Sequence, residues 1–544
     1  MTRSLTIAAA AFCALAFTTA AHLAPGAEAA DGNWSRHVGG PITAKQLDLP
    51  SSTGPSRLGR AAIERSARKL TGGGRLGPLD AVGRLSTRPP GGRAATTLRF
   101  RQSLDGRRVL WSQLNVLVQG STVTSISGTV VPLRTAEVTG TRRISPAQAR
   151  RIARRAVAGA ARVRPAEFVV YAGEPEKPRR PRSAYVVEAT TTRAKVDDSP
   201  TICVVIDAES GKVLKRWWGS AARIGAQPST RAARTAQARN YLVQVADNKL
   251  TNVDLANDGA NFYTPGNPYT WGSDSTRERE LFGSPSTAFL TGAGQPYGVI
   301  AGATGFFCLK RNYCGRDSGQ PGPVGNGDLN RWFFSARFAG CRSSICNTSH
   351  YSSALDRIFL TVTDTNDWDT IAHEIGHVID RHMRDDYIQT FEGSEVQEAL
   401  AEMFAYDSAY KEPVSKLDGL LKAPNSFNFP SEGQLPQKMS QYKCTATDAH
   451  YNGYILGHAY WTWIDEMNKR GVDGRTIAGT LLQHIPWHLA GQRTFGDTRW
   501  AFLQVIKGFY GTNSPVFDAY IQGFGFATNI LFKHSRTQLG CATI

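Results

Sequence analysis

Hydrophobic and polar positions change their spacing several times along this chain. In "LRFRQSLDGRRVLWSQLNVLV" they alternate: Leu98, Phe100 and Gln102 precede an Asp105-Gly106 turn, and Leu114, Val116 and Val118 follow it. A period of two on either side of such a turn predicts a hairpin within a sheet. From residue 145 the period lengthens. "SPAQARRIARRAVAGAARV" places Ser145 as N-cap, Pro146 at the first helical position and Gln148 where it completes a capping box. Strands return in "EFVVYAG", "SAYVVEATT" and "TICVVIDAESGKVLKRWW", the last turning at a glycine. Residues 240–360 are rich in glycine and aromatics, which predicts short strands and many turns. After residue 368 the period becomes helical, over 369–385, 394–411, 450–469, 474–484, 496–510 and 514–524. Residues 31–90, rich in Gly, Ser, Pro and Arg, predict loose order, and no internal repeat is present.

The chain has 544 residues, enough for three or four domains of ordinary size. Its start is patterned for export. Arg3 precedes the apolar run "LTIAAAAFCALAF", and "APGAEAA" sets Ala27 and Ala29 where a cut after residue 29 is favoured. That run is too short to span a bilayer and no other stretch is long enough, so no stable membrane anchor is expected. The formal net charge of +18 is unevenly placed: residues 31–220 carry +19 and residues 221–544 carry −1. The second half therefore lacks any electrostatic pull on nucleic acid, and the arginines after Ser145 fit the solvated face of a helix. No nucleic-acid partner is expected. Cys308, Cys314, Cys341, Cys346, Cys444 and Cys541 form an even set late in an exported chain, which predicts disulfides. Short loops suggest Cys308–Cys314 and Cys341–Cys346, leaving Cys444–Cys541; no CxxC pair suggests a zinc cluster.

The chemistry concentrates in "DTIAHEIGHVIDRH". His373 and His377 are one helical turn apart, so both imidazoles can face one ion, and zinc suits two imidazoles with a carboxylate. Glu374 lies beside that position, where it can act as a general base. The third ligand must come from elsewhere, since Met383 stands six residues after His377 and His382 is out of phase. "GSEVQEALAEMFAY" offers Glu395, Glu398 and Glu402, successive turns of one helix.

"HEIGH" followed by "QEALAE" resembles the thermolysin-like neutral zinc metallopeptidases, whose glutamate ligand sits in an N-E-A-x-x-D context; here Gln replaces Asn and Glu replaces Asp. The resemblance implies one zinc ion held by His373, His377 and Glu398, with Glu402 accepting from the other nitrogen of His373. "DAHYNGYILGHAYW" resembles the family segment with a substrate-facing histidine, which implies that role for His450 with Asp448 as its orienter. Asp369 matches a calcium-ligand position, so a calcium ion is also allowed; a helix N-cap is the other role open to it. Lys438 stands near the family's substrate arginine and Tyr387 near its transition-state tyrosine, while "DRIFLTVT" takes the place of its edge strand. This resemblance covers roughly residues 365–527. In the first half, "FRQSLDGRRVLWSQLNVLV" resembles the fungalysin/thermolysin propeptide motif, and the helix and strands through "VVIDAESGKVLKRW" resemble a PepSY domain. They imply a segment that assists folding and inhibits until it is removed, with 219–239 as the place to cut.

The expected fold class is α+β: an α/β propeptide followed by a two-lobed catalytic unit, with a β-rich N-terminal lobe and a mainly α-helical C-terminal lobe. The expected boundaries are 1–29 for the signal peptide, 30–135 for the N-terminal propeptide, 140–220 for the PepSY-like segment, 221–240 for the linker, 241–365 for the β-rich lobe and 366–544 for the catalytic lobe. The expected protein is a secreted, monomeric zinc endopeptidase, cleaving proteins or peptides and made as a self-processed precursor inhibited by its own propeptide. Two other readings stay open at this stage. One is a secreted binding protein on an inactive protease scaffold, and the other a zinc exopeptidase or peptidoglycan hydrolase.

Overall fold

Hairpins build the first half of the chain. Strands β1 (Arg36–Val38), β2 (Ile42–Thr43), β3 (Leu79–Thr87), β4 (Ala95–Leu104), β5 (Arg107–Arg108), β6 (Gln113–Gln119) and β7 (Thr122–Thr129) make one sheet. Its order is β1-β7-β6-β4-β3, with β2 on β7 and β5 on β4. Asp105 and Gly106 both have positive φ, 50° and 68°, and close the β4–β5 hairpin as the turn pattern predicts. The computed structural model describes residues 36–38, 41–175, 177–191, 201–220, 242–247, 269–271, 298–310, 313, 331–338, 349–352, 357–361, 364, 367–383, 387–388, 390–408, 436–446, 448–489, 493–532, 539 and 541.

Residues 31–90 are more ordered than their composition predicts. They contribute β1 to β3 and two helices, α1 (Pro55–Arg65) and α2 (Ala67–Thr71). Leu58, Ala62 and Ile63 line one face of α1 and pack on Leu98, Phe100, Val116 and their neighbours in the sheet. Three apolar side chains at helical spacing are enough when a sheet is there to receive them.

The next unit begins at α3 (Pro146–Ala156). Its capping box is formed: the Gln148 amide donates to Ser145 Oγ at 3.2 Å, and the Ser145 amide donates to Gln148 Oε1 at 2.6 Å. Ala149 and Ala153 face β8 (Ala160–Val163), β9 (Glu167–Glu174), β10 (Lys177–Thr191), β11 (Thr201–Asp207) and β12 (Val213–Ser220). Every pairing among strands β1 to β12 in these sheets is antiparallel, so this half is itself α+β; the expected α/β propeptide is corrected. Short connections explain why, since parallel neighbours need long crossovers.

A third, mixed sheet joins β13 (Leu242–Asp247), β14 (Tyr269–Trp271), β15 (Arg331–Phe338), β16 (His350–Ser352) and β17 (Arg357–Thr361) in the order β14-β13-β15-β17-β16. β17, from "DRIFLTVT", is flanked on both sides and is not the edge strand expected. Helix α4 (Gly298–Gly305) runs on into a π-helical Phe306–Lys310.

The remainder is helical: α5 (Trp368–Met383), the short β18 (Tyr387–Ile388), α6 (Phe391–Ser408), α7 (Ala449–Lys469), α8 (Gly474–Leu482), α9 (Ile485–His488), α10 (Phe495–Tyr510) and α11 (Pro515–Tyr520), which continues as a π-helical Ile521–Ala527. Its core holds Ile375, Phe404, Trp463, Phe502 and many others, and it takes in Leu85, Ala95 and Leu117 from the first sheet. β12 meets this part directly, since Gly219 pairs with Ile388 and Ser220 with Tyr387. Everything described belongs to one unit, Trp34–Ile544. Cys444 and Cys541 form a disulfide across 97 residues. Cys308 is also disulfide-bonded, but the expected partners Cys314, Cys341 and Cys346 lie outside the described residues. Among the described residues no helix is long and apolar enough to cross a membrane.

Candidate metal centre

Three helices meet closely around the residues singled out by sequence. α5 carries His373, Glu374 and His377, α6 carries Glu398 and Glu402, and α7 begins with His450. Two glycines set the spacing. A Cβ on Gly376 would lie 2.8 Å from the Cα of Ala401, and one on Gly453 would lie 2.7 Å from the carbonyl oxygen of Glu395. Backbone meets backbone at both crossings, which brings short side chains on separate helices within reach of one another.

His373 Nε2, His377 Nε2 and Glu398 Oε2 form a triangle with sides of 2.9, 3.1 and 3.2 Å. A tetrahedral zinc ion with bonds of about 2.0–2.1 Å needs donors about 3.3–3.4 Å apart. The donor types are ones that zinc takes, and each side of the triangle is slightly shorter than that spacing. A second triad, His373, Glu398 and His450, brings its donors within 4.8 Å of one another. The two triangles share His373 and Glu398 and differ in whether His377 or His450 completes them.

The other nitrogens of the two histidines are also engaged. His373 Nδ1 donates to Glu402 Oε1 at 2.7 Å, so its Nε2 presents a lone pair when the ring is neutral. His377 Nδ1 lies 3.4 Å from the Gln397 amide nitrogen, while Gln397 Oε1 is buried without a partner among the described residues. Exchanging the two ends of that amide resolves both: Nδ1–H then donates to Oε1, and the two histidines present Nε2 alike. Gln397 is the residue noted above as Gln in place of Asn, and sequence reasoning assigned it no role.

Glu374 is 5% exposed, and its Oε2 has no hydrogen-bond partner among the described residues. An orphaned buried carboxylate oxygen is costly unless a metal ion, a water or a substrate supplies the missing partner. His450 is differently placed. Its Nδ1 and backbone amide both donate to Asp448 Oδ1, at 2.7 and 2.8 Å, and its Nε2 lies 2.9 Å from Glu398 Oε2. Asp448 is at once the N-cap of α7 and the partner of this ring. Burial alone would lower the His450 pKa, but the Glu398 and Asp448 carboxylates raise it well above the ordinary histidine value. The same balance holds at His373, where Glu402, Glu398 and Glu374 overcome burial and raise it. Burial would raise the Glu398 pKa, yet the charges of His377 and His450 hold it well below the usual carboxylate range.

Glu395, the rival ligand, lies away from the triangle: it accepts from Tyr442 Oη at 2.7 Å and from Asn452 Nδ2 at 2.8 Å. Asp369 lies in the first turn of α5, but capping falls to Asp367, which accepts from the Asp369 amide at 3.2 Å and from the Thr370 hydroxyl at 2.7 Å. Lys438 is exposed beside a short 3-10 turn. The side chains of Tyr387 and His382 lie outside the described residues.

Residues 143–217 match the family described as peptidase propeptide and YPEB domain, PepSY. They span α3 to β12, and that segment is a PepSY domain. No curated protein matches the chain. Among solved structures the chain matches the Bacillus megaterium YpeB C-terminal domain at 14% identity with a TM-score of 0.17, over 29% of this chain and 64% of that one. The chain thus spans less than two thirds of that structure, and at this score the likeness carries no argument.

Proposed function

We propose that this chain is the precursor of an exported, thermolysin-like zinc endopeptidase, and that the basic first half, including its PepSY domain, is the propeptide. The observation that carries the reading is the triangle of His373, His377 and Glu398, next to Glu374, whose Oε2 is unpartnered among the described residues. Zinc, when bound by those three residues, supplies a Lewis acid that polarises the substrate carbonyl and makes water more acidic. The chain's own residues do the rest. Glu374 takes a proton from the attacking water and passes it to the amide nitrogen as the C–N bond breaks. His450, held by Asp448, donates from Nε2 to the carbonyl oxygen as negative charge builds there. Glu402 and Gln397 fix the orientation of His373 and His377.

β12 ends at Ser220 on β18, between the two helices that carry the metal ligands. A cut within 221–239 therefore falls in the chain that leaves this strand. The test is casein digestion by the purified, processed protein with and without a zinc chelator. Chelator-sensitive digestion, restored by zinc, is expected; digestion indifferent to the chelator would overturn the reading.

A further inference from the structure

Two buried histidines outside the metal centre join the first sheet to the helical part. His484, in the turn between α8 and α9, is fully buried. Its Nε2 lies 2.7 Å from the Thr87 hydroxyl at the end of β3, and its Nδ1 lies 2.8 Å from the Thr97 hydroxyl of β4. One turn on, His488 is 2% exposed and its Nδ1 lies 3.0 Å from the Ser127 hydroxyl of β7. Trp487 lies between them, its carbonyl accepting from Gln113 Nε2 at 3.2 Å and its ring covered by the Arg99 guanidinium at 4.6 Å. His484, Trp487 and His488 thus all face the sheet of residues 36–129, and none of that contact involves the metal ligands.

Hydroxyl partners suit a neutral imidazole in either tautomer, because each can donate or accept. They could also turn to accept from a doubly protonated ring, so protonation would not fail for want of hydrogen bonds. It would fail on charge. The groups that face His484 are the Thr87 and Thr97 hydroxyls from the sheet and the Phe509 ring of α10, 4.8 Å away. The titratable group that acts on it is His488, one turn on, while Arg99 of β4 lies over the Trp487 ring between them and donates to the Met383 carbonyl at the end of α5. α5 packs on α9 as well, and its Asp380 is committed to Arg493 at 2.7 Å. A cation placed here loses its solvation and is opposed by any charge on His488.

We infer that His484 makes the seat of the first sheet on the helical part acid-labile: the sheet docks on the neutral His484 ring, and its protonation loosens β3, β4 and β7 from α9 and α10. Burial, with a smaller contribution from His488, lowers the His484 pKa from 6.5 to about 3. The undocked ring therefore binds protons more readily than the docked one between those values. The contribution to docking is complete above about pH 6.5 and falls as pH drops toward 3, by about tenfold per pH unit. This stands on the interface alone and is independent of the zinc reading.

Hydrogen–deuterium exchange on the full chain tests it, using Glu374→Ala to keep the chain intact. After correction for intrinsic rates, protection in residues 79–131 and 484–510 should fall as pH is lowered from 7.5 to 4.5, while α3 and its sheet keep theirs. In His484→Gln/His488→Gln, where an amide replaces each ring but does not titrate, the profile should be flat. Unchanged protection of the parent down to pH 4.5, or the same loss in the double variant, would overturn the inference. If the double variant does not fold, NMR titration of carbon-13-labelled histidines in the parent decides. The His484 resonance should stay that of a neutral ring down to pH 4.5 in the docked form while protection falls, and a ring that titrates near 6.5 with protection intact overturns the proposal.

Discussion

Glu374 and Glu398 are buried carboxylates on facing helices, and their removal should have different consequences. Glu374→Ala is expected to bind about one zinc per chain and lose nearly all turnover, because the base is not a ligand; Glu398→Ala should lose the metal itself. Metal analysis beside a peptidase assay separates the two, and a metal-free Glu374→Ala would show the roles misassigned. His450 makes a third case. A group that donates to a developing oxyanion acts in the transition state, so His450→Ala should lower kcat by about a hundredfold or more with little change in KM or zinc content. At this scale the sequence was largely legible, because the two histidines and Glu374 lie within one turn of one helix. Glu398 needed the family resemblance to be preferred over Glu395, and the structure gives a physical reason for that preference: Tyr442 and Asn452 occupy the Glu395 carboxylate.

Helices α5, α6 and α7 can hold this cluster only because they approach so closely. Gly376→Ala sets a methyl group against the backbone of Ala401. It should destabilise the protein by about 1–3 kcal/mol and weaken zinc binding without touching a ligand. Thermal melting and a zinc-binding titration on the same preparation check both effects. The late helices were readable because their starts are local: Asp448, Asp473, Thr494 and Ser514 each accept from an amide at the beginning of a helix. α1 and α4 were not. In α1 the apolar face is three residues set among arginines and small residues, and in α4 glycines dilute the pattern. Their partners lie far away in sequence, where periodicity carries no information.

At the scale of the whole molecule, the Cys444–Cys541 disulfide closes a loop of 97 residues around α7 to α11. Losing it through Cys444→Ser/Cys541→Ser should cost about 2–4 kcal/mol, measured by denaturant unfolding. Self-processing makes a separate prediction: Glu374→Ala expressed in a protease-free host should accumulate as the unprocessed precursor, and a normally trimmed product would mean another enzyme does the cutting. The sharing of one core between Leu85, Ala95 and Leu117 and the late helices was invisible in the sequence, since each half satisfies its own pattern. It also bears on the order of events during synthesis. Chains leave the ribosome from the N-terminus, and early domains tend to fold first. The strands of residues 36–220 can thus pair with one another before α5 emerges, with only β18 still to be added to β12, and the helices are then laid down on a surface largely formed. A polypeptide assembled against a template in this way has no guarantee of retracing the path once the template has been cut off and lost, so the processed form should regain its fold far more slowly after denaturation than the intact chain.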